Sequence, residues 1–168
     1  MKTIIKLCTL SLSAAMFLTS CLPSENPLSA PEDSKPDPKL IGEWVNEEGE
    51  TMTFVAEEGP WMKMSSGDMK DLRVFPTVLG KAWFLNHELT KDDKTTGYFI
   101  SRYEIGEDDT LTFWDVDDDL IDEAIRSGEI KGDDQRVTDT TENLVRFIEK
   151  HGAEKVFSEK GEPFQRKK

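Results

Sequence analysis

Seven short apolar runs, about ten residues apart and separated by turn residues, constrain this chain more than any other feature. They fall at 40–45, 50–56, 61–64, 71–75, 80–89, 98–105 and 110–116. Within them side chains alternate. Met52 and Phe54 share one face against Thr51, Thr53 and Val55, and Leu111 shares a face with Phe113. A period of two is that of a half-buried strand, since successive side chains point to opposite faces. Glu57-Glu58-Gly59-Pro60, the polar segment 91–97 and Glu107-Asp108-Asp109 read as the turns between. Strands this short and regular predict a mainly β fold, an antiparallel meander closing toward a sandwich or small barrel.

After Val116 the period changes. Asp117-Asp118-Asp119 precedes Leu120, Ile121, Ala124 and Ile125, which share one helical face, and Gly128 stands where such a helix would stop. A second helix is clearer: Asp139 as cap with Glu142 three residues on, a Leu144, Phe147, Ile148 stripe, His151 in the last turn and Gly152 just beyond. Val156-Phe157 is expected to add a last short strand, so two C-terminal helices accompany the β-rich domain.

The N-terminus is of another kind. Lys2 and Lys6 precede an uncharged, mostly apolar stretch from Leu7 to Leu18, and Leu18-Thr19-Ser20 leads into Cys21. A positive start, a short apolar core and small residues before a cut mark a secretion signal, too short for a comfortable membrane span. Leu18-Thr19-Ser20-Cys21 resembles the lipobox of bacterial lipoproteins. The resemblance implies cleavage before Cys21, a diacylglyceryl thioether on its sulfur and usually an amide-linked acyl chain. Leu22, where Asp would retain such a protein in the inner membrane, implies outer-membrane sorting. Two or three chains hold a protein stably where one does not. Cys8 lies in the leader, so the mature domain would have no free thiol, no disulfide and no Cys-based metal site.

Residues 22–38 hold Pro23, Pro27, Pro31, Pro36 and Pro38 and show no apolar period. The reading is an extended spacer, with a reach of about 50 Å if fully polyproline-like. The expected organisation is therefore a signal peptide at 1–20, the lipidated Cys21 and a Pro-rich tether to 38, a β-rich domain at 39–158 and a disordered tail at 159–168. The net charge of −13 argues against nucleic acid, whose phosphates are held by Lys and Arg. The basic run Arg166-Lys167-Lys168 reads as a solubilising terminus.

Gly42-Glu43-Trp44 at the mouth of the first strand resembles the G-x-W motif of lipocalins and related small barrels. No second lipocalin motif is evident on the later strands. The segment from Tyr98-Phe99-Ile100 through Phe113-Trp114 to the helices is similar to uncharacterised bacterial lipoproteins. Together these imply a small lipocalin-like barrel and no particular activity.

Chemical motifs are sparse. The acids around Asp117 fail as an EF-hand loop, since Leu120 stands where Gly is required and Arg126 where Glu is required. They read as helix caps. His87 beside Glu88 is the one pair that could serve as a general base. No cofactor, metal or nucleotide motif is present. Trp44, Trp83, Phe84, Phe113 and Trp114 are the expected ligand- or partner-binding residues, with Trp44 as the plug of a closed end. Adjacent aromatics on a strand must face opposite ways, so one of Trp83-Phe84 and one of Phe113-Trp114 should lie outside a barrel, under helices or in an interface. The sequence thus points to a lipid-anchored cell-envelope protein that binds a small apolar ligand or an envelope partner. A carboxylate-dependent hydrolase and a purely structural assembly component are the alternatives.

Overall fold

The computed structural model describes residues 22–67, 71–133 and 135–168. The leader and Cys21 lie outside these. The seven runs form β2 (Gly42–Val45), β3 (Thr51–Ala56), β4 (Met62–Ser66), β5 (Leu72–Leu79), β6 (Ala82–Lys91), β7 (Lys94–Ile105) and β8 (Thr110–Asp115), each antiparallel to the next. Before them come β1 (Leu22–Ser24) and a 3₁₀ turn at Pro31–Asp33, and after them α1 (Asp118–Ser127), α2 (Thr141–His151), α3 (Ala153–Val156), β9 (Glu159–Lys160) and β10 (Phe164–Arg166).

The sheet closes on itself. β10 pairs with β2 on one side and with the start of β8 on the other, and β8 also pairs with the end of β7. The ring β2-β3-β4-β5-β6-β7-β8-β10 is a small antiparallel eight-stranded barrel of lipocalin-like form. The expected tail at 159–168 is corrected here: it supplies the closing strand, and Phe164 is buried in the barrel. Val156 and Phe157 form no strand. They end α3 and pack at 0% exposure beneath the helix layer.

Two cores result from the alternation. Trp44, Met52, Phe54, Met62, Met64, Val74, Leu85, Tyr103, Leu111 and Phe164 fill the interior. A second core lies outside the wall, where Phe84 and Ile100 meet α1, α2 and the 130–137 loop through Ile121, Leu144, Phe147 and Phe157. A narrow barrel has an interior that side chains can fill, so the outer core must be built from the alternate residues of the same strands.

The helices follow their caps. The Asp117 side chain accepts from Leu120 N at 2.9 Å, and Gly128 ends α1 in the left-handed region. The cap of α2 is Thr140 rather than Asp139. Asp139 sits one residue earlier, where its carboxylate accepts from Thr140 N, Lys131 N and the Asn143 amide. These bonds hold its carboxyl below the usual range against the opposing effect of its burial.

The Pro-rich segment does not stand off as a spacer. Leu22, Pro23 and Ser24 pair with Ile100, Phe99 and Tyr98. Leu28 is 2% exposed, and its N–H donates to the buried Asn86 amide oxygen at 2.9 Å. Leu22 and Leu28 are enough, with backbone bonds, to dock a proline-broken chain on an existing apolar wall. Gly97 permits the contact: a Cβ there would stand 2.7 Å from the Ser24 carbonyl oxygen.

Candidate binding cleft

The barrel has two distinct ends. The β3–β4, β5–β6 and β7–β8 turns and the start of β2 lie at one of them. That end is plugged. Trp44 is fully buried, and its indole N–H donates to Leu40 O at 2.9 Å. The Arg166 guanidinium lies over the Trp44 ring at 4.2 Å and donates to the carbonyls of Ile41 and Lys39. A guanidinium stacked on an indole face is a cation–π pair. From sequence alone Arg166 reads as part of a solubilising terminus. The missed signal is Phe164, two residues earlier and on the same strand face.

Beside the plug opens a cleft of about 860 Å³. Asp37–Lys39, the β5–β6 turn, the end of β7 and the Gly152–Glu154 segment form its walls. Trp83 and Tyr103 line its floor, and the row they belong to continues into Val78 and Phe113 beyond the lining. Val78, Trp83, Tyr103 and Phe113 occupy one register row across β5, β6, β7 and β8. The Trp83 and Tyr103 rings are 6.0 Å apart, and Tyr103 and Phe113 are 6.2 Å apart. From Tyr103 exposure rises toward the β5 end of the row: Tyr103 is buried, whereas Trp83 is 38% and Val78 48% exposed. The rim carries both signs of charge, from Lys39, Lys81 and Arg102 to Glu104 and Glu154.

The floor is rigid for an identifiable reason. The Tyr103 hydroxyl donates to the buried Asp37 carboxylate at 3.0 Å, and the other Asp37 oxygen accepts from Lys39 N at 2.9 Å. Burial, with the neighbouring Asp37 charge and hydrogen bond, pushes the Tyr103 phenol far above its ordinary range. The phenol therefore stays a donor, and the strap at 37–41 stays latched across the barrel end. Polar residues of the Pro-rich segment are thus part of the site, which composition alone could not indicate.

The expected aromatic set is brought only partly together. Trp83 and Phe113 face the barrel axis and meet through Tyr103. Trp44 belongs to the adjoining plug. Phe84 points outward at 0% exposure and packs edge-on to Phe157 at 5.2 Å, so the helix layer covers it. Trp114 is half-buried on the outer wall beneath the Arg102 guanidinium, 4.1 Å from its ring. Of the outward members, expected as pointers to a partner surface or to lie under the helices, Phe84 is covered by the helix layer and Trp114 only partly.

His87 and Glu88 are separated by the strand they share. Glu88 lies on the outer wall, bonded to Thr95 and Arg73. His87 is inside the barrel, 3.1 Å from the Ser101 hydroxyl through Nε2, while Nδ1 has no partner among the described residues. The two side chains do not face each other, and among the described residues no acid takes the orienting place of a triad beside His87. Burial pushes the His87 pKa down to about 4. Above pH 6.5 folded and unfolded chains both carry it neutral, so the barrel keeps its full stability there. As pH falls from 6.5 toward 4 the unfolded chain takes up a proton that the barrel refuses, with a loss of about 3 kcal/mol. Urea unfolding at pH 7 and pH 4.5 should show this loss, and His87→Gln should remove most of it. An identical acid loss in that variant would contradict the assignment.

Among the described residues no group of three His, Cys, Asp or Glu side chains is placed to hold a metal ion, and no helix is long and apolar enough to cross a membrane. The class defined here is a small closed antiparallel β-barrel with an amphipathic cleft beside its plugged end. No protein-family model, curated protein or solved structure matches the chain.

Proposed function

We propose that this is a lipid-anchored cell-envelope binding protein, tethered through Cys21 to the outer membrane on its periplasmic side, that takes a small amphipathic ligand in the Trp83 cleft. The observation that supports this reading is the exposed Trp83 ring on the cleft floor. An indole left 38% exposed on a latched scaffold, inside an 860 Å³ recess with charges on its rim, is a ready apolar surface with polar groups to fix orientation. The filled interior favours the cleft over the barrel axis as the site. His87 lies outside the cleft lining, which weighs against the carboxylate hydrolase.

The anilinonaphthalene sulfonate dye is a suitable probe, having an aromatic body and one anionic group. It should bind the folded protein, and Trp83→Ala should weaken that binding by about tenfold or more, the equivalent of about 1.4 kcal/mol of lost stacking. The variant's thermal midpoint should move little, because Trp83 is not a core residue. Equal dye affinity in the two proteins would remove the cleft from consideration.

A further inference from the structure

We propose that the barrel body lies flush on the bilayer that holds its lipid, with the face around β1, α1 and the following loop against the headgroups. The inference rests on the lipidation of Cys21 proposed above. Cys21 and Leu22 are joined by one peptide bond, so their Cα atoms are about 3.8 Å apart. Leu22 has no slack of its own, being 1% exposed and paired with Ile100.

The residues that follow are tied down at nearly every step. Val137 N donates to Pro23 O, and Glu25 N donates to Val137 O, both at 2.9 Å. The Asn26 amide donates to Asp139 O, and the Thr141 hydroxyl donates to Pro27 O at 2.7 Å. These partners belong to the loop and helix start that cover the outer core. The segment cannot pay out as a spacer without opening that core. Acyl chains on Cys21 must reach the hydrocarbon, so the start of β1 must come to headgroup level.

The orientation follows from topology. Leu22 enters at the middle of β7, on the outer wall, beside a 290 Å³ pit bordered by Asp118, Asp122, Gln135 and Arg136. In the ring of eight strands β3 is four places from β7 and stands on the opposite side. The border of this pit carries Asp118, Asp122 and Asp133 against Arg136, so the acyl chains supply this face's hold on the bilayer and anionic lipid does not add to it.

The test uses the full-length acylated protein in vesicles of phosphatidylethanolamine and phosphatidylglycerol. A fluorophore is placed on Gln135→Cys or on Val55→Cys, the latter an exposed outer position of β3. Headgroup-labelled quencher lipid should quench the first several-fold more strongly than the second. Gly97→Val, which drives a side chain into the Ser24 carbonyl, should shrink that difference while the lipid mass is unchanged. Equal quenching at both positions in protein whose mass includes the acyl chains would overturn flush seating. A mass without acyl chains would instead overturn the lipidation of Cys21, and this inference with it.

Discussion

A chain ending at Glu162 loses about 5 kcal/mol or more of stability, a large share of what a domain of this size possesses. The truncation removes Phe164, which is 1% exposed among Trp44, Leu111 and their neighbours. Loss of a buried phenylalanine alone costs about 3–5 kcal/mol. It also removes Arg166, leaving the Trp44 ring without its guanidinium and the Ile41 and Lys39 carbonyls without that donor. Finally it opens the ring between β2 and β8, exposing two strand edges able to pair with other chains. Urea unfolding read by circular dichroism should show a much lower midpoint, with aggregation at modest concentration. A cooperative transition at the midpoint of the intact chain would show that β10 is dispensable.

The second large effect is at the other terminus. A chain beginning at Lys39 keeps all eight barrel strands and yet should lose about 5 kcal/mol or more. Leu22 and Leu28 each contribute about 1.5–3 kcal/mol by burial. The Asn86 amide keeps its bonds to Phe75 O and Thr77 but loses Leu28 N as a donor to its oxygen, and Tyr103 loses Asp37. Unmade bonds at buried groups cost about 1–3 kcal/mol each. Leu28→Ala in the full chain isolates one part of this and should cost about 2–5 kcal/mol. Hydrogen exchange should show β6 and β7 losing protection first in both variants. Unchanged protection would mean that 22–38 merely rests on the barrel.

The barrel was legible where periodicity was strong. All seven central strands overlap the apolar runs, although β5 extends to Leu79 and β7 begins at Lys94, inside the segment read as a turn, and both longer helices begin and end near their expected caps. The elements that escaped notice are short and rely on partners distant in sequence. β10 has three residues and β1 three, too few to carry a period. Each is fixed by a wall built elsewhere, β10 by Leu111 and Trp44 and β1 by Ile100. Proline content correctly marked 22–38 as unable to fold alone, but it carried no information about docking. The same limit applied to the cleft. Trp83 was visible as one of an adjacent aromatic pair, and the rule of opposite faces sent one of the two outward without saying which; it is Phe84. Which member would stay exposed depended on the helix layer, whose distant Phe157 covers Phe84.

Native mass spectrometry of the full-length protein, extracted gently from its own membranes, tests the binding reading most directly. The account predicts a mass that includes acyl chains on Cys21 and a co-purifying small molecule that is absent from the Trp83→Ala variant. A chain with neither added mass, or one carrying a small molecule that Trp83→Ala retains in full, would contradict it.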